Sequence, residues 1–147
     1  MRVVAGVGAG FLLAVLWFDL MFDTQVRGHR GDLPEDARGS IAAYYRRVTT
    51  TSHPMSRLVA AVMLATLAAL IGEVALGTTP LWVAIPSLVL VAVATGLAAG
   101  RTVRSAVRLG SQIDAPEDQS TLARAIYRDH VLCFVAIGAT VILQIAA

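Results

Sequence analysis

Two carboxylates and two imidazoles stand against apolar runs in this sequence, and they are the side chains best suited to chemistry. Asp19 and Asp23 lie in Trp17-Phe18-Asp19-Leu20-Met21-Phe22-Asp23, four apart and therefore on one face of a helix. His53 and His130 each stand where a further apolar run is entered. Packed side by side, these runs would converge the groups at one level. Carboxylate with imidazole suits a divalent transition metal, and two imidazoles on facing helices suit a haem. The spacing adds nothing more specific, because neither HxxxH nor ExxH occurs. His29, between Arg27 and Arg30 in a polar stretch, reads as solvated.

Simple pairing is the competing use for a carboxylate in such a run. At 1.5 Å per residue, Asp19 lies about 6 Å deeper than Asp23, where an unpaired ionised carboxylate costs roughly 2–3 kcal/mol or more. Arg101 occupies the position equivalent to Asp19 in the internal repeat described below and is its expected partner. Glu73 and Gln144, each near the far end of a run, are placed to hydrogen-bond across a bundle, or Glu73 to snorkel. Cys133 has no basic or ligand-like neighbours and reads as a small buried residue.

The elements that must hold these residues follow from composition. The 147 residues are 56% hydrophobic and 15% charged, with a formal net charge of +2 and a mean hydropathy of +0.69. Roughly a quarter of an ordinary soluble domain is charged, so this chain is not one, and its apolar content excludes a disordered chain. Residues 3–22, 58–76, 81–99 and 131–147 approach the roughly 20 residues that cross a ~30 Å hydrocarbon layer. The last run is expected to begin as helix upstream, near Ser120. Gly77-Thr78-Thr79-Pro80 ends one helix and opens the next, which makes the second and third spans a tight antiparallel hairpin. The expected fold is all-α: an integral membrane four-helix bundle forming one domain over 1–147.

All twelve basic side chains are Arg. Apart from Arg2, they flank the connection after the first span (Arg27, Arg30, Arg38, Arg46, Arg47, Arg57) or after the third (Arg101, Arg104, Arg108, Arg124, Arg128). Positive loops stay cytoplasmic, so both termini are expected outside the cytoplasm, with the protein in the cell's inner membrane. The first run lacks a small-residue cleavage site and is expected to remain a span. No basic stripe interleaved with aromatics is present, so no nucleic-acid partner is expected.

The two Arg-rich connections resemble each other. Asp32-Leu33-Pro34-Glu35-Asp36 matches Asp114-Ala115-Pro116-Glu117-Asp118, and Tyr45-Arg46 matches Tyr127-Arg128 at the same offset. Each reads as a helix start, with Asp as cap, Pro in the first turn and acids at the positive end of the dipole. The expectation is a duplicated two-span unit, with halves of about 1–77 and 78–147, and amphipathic interfacial helices on the cytoplasmic side. Their Tyr residues would sit at headgroup level and their Arg residues toward water. Gly6 and Gly10, Ala61, Ala65 and Ala69, and Ala92, Gly96 and Gly100 form small-residue stripes expected to pack the bundle, with a docking role left open. Leu12, Leu13, Leu16, Trp17, Phe18 and Trp82 read as lipid-facing or interfacial.

Short loops, four spans and Tyr127-Arg128-Asp129-His130 entering the last one give a layout that resembles the anthrone-oxygenase-like group of small four-span membrane proteins. That resemblance implies His130 as a substrate- or cofactor-facing imidazole. A fuller similarity, to actinobacterial-type membrane proteins with the same preference for Arg over Lys, implies no function. Two functional expectations result. The first is a non-enzymatic accessory or assembly subunit of a larger membrane complex, needing no cofactor and contacting lipids and other membrane subunits or itself. Arg38, Arg46, Arg47, Arg104 and Arg108 would meet anionic lipid or an acidic partner. The second is a membrane oxidoreductase or oxygenase with a metal or haem near Asp19, Asp23, His53 and His130, acting on a quinone-like or aromatic substrate.

Overall fold

The structure is a computed structural model that describes residues 1–51 and 53–146, the side chain of His53 excepted. Its helices are α1 (Arg2–Asp23), α2 (Glu35–Arg46), α3 (His53–Leu76), α4 (Leu81–Leu97), α5 (Val103–Ser111) and α6 (Pro116–Ala146). A 3-10 turn at Thr24–Val26 extends α1, and π-helical turns at Arg47–Thr51 and Ala98–Thr102 follow α2 and α4. No strand occurs among the described residues. Arg2–Val26, Pro54–Leu76, Leu81–Ser111 and Pro116–Ala146 are long and apolar enough to cross a membrane. The protein is an all-α, multi-pass membrane four-helix bundle.

The spans form a square. α1 packs against α3 and α6, α4 packs against the same two helices, and α1 and α4 lie on a diagonal. Ala5, Ala9, Leu12, Ala69, Leu70, Val91, Ala94, Cys133 and Ile137 form the shared core. Its many small side chains suit helices that gain little from apolarity in lipid and must approach closely. Large apolar residues point outward, among them Trp17, Phe18, Trp82, Val93 and Leu132, as a lipid-facing surface requires. Leu12 departs from the lipid-facing expectation and is buried in the core.

The expected packing stripes are corrected. On α1 the inward small residues are Ala5, Gly8 and Ala9, and a Cβ on Gly8 would land on the Thr66 side chain. Nothing stands within 4 Å of a Cβ built on Gly6, Gly10, Gly96 or Gly100, and Ala92 is exposed. Ala61 and Ala65 also face out, leaving Ala69 inside. α1 carries small residues on two faces, and only one of them can meet α3 and α6.

A second core sits at the Arg-rich end. Val26, Leu33, Ile41, Ala42, Tyr45, Ala106, Leu109, Ala123 and Ile126 join α2, α5 and the first half of α6 into a cap on the bundle. The apolar face of α2 is therefore covered by protein, and Tyr45 lies in this core rather than among headgroups. The Leu33 N–H donates to Ser120 Oγ at 3.0 Å, and Arg124 donates to the Gly31 carbonyl, which ties the first connection to α6. Arg108 forks onto Asp114 at 2.8 Å through both Nε and Nη2, closing the α5–α6 turn. Its hydrogen bonds hold the Asp114 carboxyl below the usual carboxylate range.

α2 and α5 touch most closely at Gly110. A Cβ there would stand 2.7 Å from the Arg46 backbone nitrogen and 2.9 Å from its Cα. Backbone cannot swing aside as a side chain can, and overpacking of this kind typically costs about 1–3 kcal/mol. Gly110→Ala should therefore lower the thermal unfolding midpoint in detergent, while Gly100→Ala, with an open environment, leaves the packing around it intact. Equal midpoints for wild type and Gly110→Ala would show that the crossing is looser than described.

Candidate functional site

The last turn of α1 presents two carboxylates to the cap, and α2 answers with two phenols. Tyr44 Oη donates to Asp19 Oδ1 at 2.5 Å, and Tyr45 Oη donates to Asp23 Oδ1 at 2.6 Å. Tyr44 also stacks on Phe22, with ring centroids 4.1 Å apart. From α6, His130 Nδ1 lies 2.6 Å from Asp23 Oδ2, and Nε2 faces Asp19 Oδ2 at 4.0 Å. A carboxylate accepts, so Nδ1 carries the proton in this contact. The 3.3 Å approach of Tyr45 Oη to Nδ1 then joins two donors, and the phenol proton goes to Asp23. Asp23 is fully buried with both oxygens engaged.

The neighbouring residue on α6 faces the other way. Asp129 accepts from Arg101 Nε at 2.9 Å and from Arg101 Nη2, and the Thr102 hydroxyl donates to its Oδ2 at 3.1 Å. Arg101 and Thr102 both belong to the π turn after α4. Such a turn inserts an extra residue and shifts where the following side chains point. The expected Asp19–Arg101 pair is thereby corrected: Arg101 pairs with Asp129, and Asp19 is held by Tyr44. The reason is topological. α1 and α4 are diagonal in the square, whereas α6 adjoins both.

Three of the four candidate ligands, Asp19, Asp23 and His130, are thus brought together; the side chain of His53 lies outside the described residues. No group of three His, Cys, Asp or Glu among the described residues is arranged to hold a metal. Tyr44, Tyr45, Thr102 and Asp129 were not anticipated as partners. Charge counting gives no signal for them, because twelve Arg stand against ten Asp and Glu; the pairing depends on which helices are neighbours. Cys133 is buried as expected, with Sγ 3.7 Å from the Ala94 carbonyl oxygen, and His29 is exposed.

Chemically, the arrangement is a closed hydrogen-bonded latch. It joins α1, α2 and α6, and buried polar networks of this type rigidify a fold; His130 Nε2 stands 4.0 Å from Asp19 Oδ2, beyond hydrogen-bond distance. A groove of 280 Å³ opens nearby, but it is lined by Gly100, Arg101, Arg104, Ser105, Arg108 and Leu122 and by none of the latch residues. Of the Arg residues expected at a lipid or partner surface, Arg38 is tied to the Leu33 carbonyl at 3.2 Å and Arg108 to Asp114. Arg104 reaches the Gly100 carbonyl, while Arg46 and Arg47 are exposed.

Burial, then the charge of Asp23, pushes the Tyr45 phenol far above its ordinary value of 10.0. Burial and Asp19 do the same for Tyr44. The folded state therefore holds these protons more tightly than the unfolded chain does. That contribution to stability is complete below about pH 10 and is lost as pH rises beyond it. Wild type should accordingly lose stability above pH 10 more steeply than Tyr44→Phe/Tyr45→Phe, measured by unfolding in detergent. At neutral pH, Tyr45→Phe removes a donor from a buried carboxylate and should cost about 1–3 kcal/mol. A double-mutant cycle on Arg101→Gln and Asp129→Asn should show coupling, and one on Arg101→Gln and Asp19→Asn should be additive. The opposite pattern would restore the Asp19–Arg101 pair.

No protein-family model matches the chain, and no curated protein or solved structure is significantly similar to it.

Proposed function

We propose that this protein is a non-enzymatic accessory or assembly subunit of a larger complex in the inner membrane, with its Arg-rich cap in the cytoplasm and both termini on the far side. One observation carries the reading: the small-residue faces Gly6/Gly10 on α1 and Ala92/Gly96 on α4, continued by Gly100 in the π turn after it, point away from the bundle. In lipid, small faces are useful chiefly for letting another helix approach closely. The two faces sit on diagonal helices, so they address neighbours on opposite sides. The latch, whose side chains hydrogen-bond to one another, agrees with a structural role. The Arg bias of the cap supports the orientation through the positive-inside rule, and Arg46, Arg47 and Arg104 are the side chains best placed for anionic lipid or an acidic partner. A duplicated two-span origin belongs to the same reading, since both Asp-x-Pro-Glu-Asp segments open a helix, at Glu35 and at Pro116.

A second reading, a metal- or haem-dependent oxidoreductase acting on a lipophilic substrate, is favoured by His130 Nε2, which faces Asp19 at 4.0 Å beyond hydrogen-bond distance. An absorption spectrum and metal analysis of the purified protein separate the two. A Soret band or a stoichiometric metal lost in His130→Ala would replace the first reading.

For the assembly reading, native electrophoresis and crosslinking in native membranes should place the wild-type chain in a species well above its 15.5 kDa mass. Gly10→Ile and Gly96→Ile should release the single chain with its helical circular dichroism intact, because a Cβ at either position has nothing within 4 Å. A wild-type chain that is solitary in membranes, or an assembly indifferent to both substitutions, would overturn the proposal.

A further inference from the structure

Three guanidiniums and a hydroxyl line the 280 Å³ groove at the cap, where Arg101, Arg104, Ser105 and Arg108 meet Gly100 and Leu122. Arg104 and Arg108 are four apart in α5 and share a face, and the π turn after α4 brings Arg101 to the same opening. Their charges are unequally met. Arg101 pairs with Asp129 and Arg108 with Asp114, and Asp118 adds to the negative field at Arg108. Arg104 is exposed and donates to the Gly100 carbonyl, and no carboxylate among the described residues pairs with it. The two paired guanidiniums also keep donors to spare. Each carries five N–H groups, of which its carboxylate takes two, and their side chains remain 58% and 56% exposed.

The depth of the groove indicates what it meets. α4 opens at Leu81, and at 1.5 Å per residue Arg101 stands roughly 30 Å along the span, the thickness of the hydrocarbon layer. Arg104 and Arg108 continue about 4.5 and 10 Å beyond it, through the headgroup region. Toward the bundle middle, α6 presents the exposed Leu132 one turn below Asp129, and α4 presents the exposed Val93.

We infer that this groove binds the phosphodiester of an anionic phospholipid, with Arg104 as its main charge partner and the spare donors of Arg101, Arg108 and Ser105 around it. Guanidinium–phosphate hydrogen bonds are charge-assisted and strong, and basic pockets at the ends of spans hold lipid headgroups by this chemistry. One guanidinium without a carboxylate matches one net negative charge, whereas a zwitterionic lipid brings a second cation toward three others. The volume is just under the ~300–1,000 Å³ of clefts that enclose a whole ligand, which suits a headgroup whose acyl chains lie outside, against the apolar surface of α4 and α6. The inference rests on the surface contact given to Arg104 above and requires no partner subunit.

Native mass spectrometry of the full-length protein in detergent, titrated with dioleoylphosphatidylglycerol, tests the site. Wild type should retain one such lipid per chain ahead of any other, and dioleoylphosphatidylcholine roughly tenfold more weakly, the scale of one charge-assisted contact. Arg104→Gln, which removes an exposed side chain without touching either ion pair, should weaken phosphatidylglycerol binding roughly tenfold. Arg30→Gln takes the same charge from the exposed first connection, outside the groove, and should bind as wild type does. Millimolar inorganic phosphate should leave the lipid in place; displacement would assign the groove to a soluble anion and overturn the inference. Equal retention of the two lipids by wild type, as a surface for an acidic protein would give, or undiminished binding to Arg104→Gln, would overturn it as well. Lipid is counted per chain in any oligomer, so its absence leaves the assembly reading standing, and a solitary chain that keeps its lipid overturns assembly alone.

Discussion

Two adjacent residues of one helix hold this molecule's polar end together. Asp129 and His130 point from α6 toward different neighbours, the first to Arg101 and Thr102 beyond α4 and the second to Asp23 of α1. Consecutive helical residues are about 100° apart, given 3.6 residues per turn, which matches a helix flanked on two sides of a square. Because α6 adjoins both diagonal helices, it can satisfy a carboxylate on one and a guanidinium on the other without either crossing the bundle. Tyr44 and Tyr45 then donate to Asp19 and Asp23, and in doing so they fix α2 over the end of α1.

The cap follows from that closure. Once Tyr45 is drawn inward to Asp23, Ile41 and Ala42 one turn earlier are also turned inward, and they need an apolar cover. α5 and the first half of α6 provide it. α5 can come close enough only because Gly110 places no side chain against the backbone at Tyr45–Arg46. The π turn after α4 serves both ends of this arrangement, by aiming Arg101 at Asp129 and by leading directly into α5. Burial of polar groups at this boundary is tolerable because nearly every acceptor has a donor, many of them neutral phenols and hydroxyls rather than competing cations.

Much of this was legible in the residues, and the division between what was and what was not has a physical cause. Hydropathy over twenty residues is a long, summed signal, so the spans and the Gly77–Pro80 hairpin could be read directly, and the Glu73–Gln144 contact was one of the two uses open to a polar pair near the far end of the spans. Pairing across the bundle depends on which helices are neighbours, and periodicity along one helix carries no such information. Arg101 was therefore matched to Asp19 by position, although the square sets α1 and α4 apart. The same limit applies to the small-residue faces: Gly6 and Gly10 mark a face able to approach another helix closely, but Ala5, Gly8 and Ala9 compete for the same neighbours and win. The tyrosines read as headgroup anchors because amphipathic helices near a membrane commonly carry them there. Only the tertiary fold reveals that their hydroxyls are needed inside.

The two ends of the bundle treat buried charge differently, and the contrast bears on what each can do. At the cap, Asp19, Asp23 and Asp129 are met by phenols, an imidazole, a hydroxyl and a guanidinium drawn from α2, α6 and the π turn after α4. At the far end, Glu73 has one amide and keeps an oxygen in reserve. A network with many donors resists change more than a single amide contact does. Rigidity therefore belongs to the end that carries the Arg-rich surface, where a partner would need a fixed shape to recognise. The end where α3, α4 and α6 meet under a short turn is held by fewer polar contacts, and the apolar middle of the bundle separates the two.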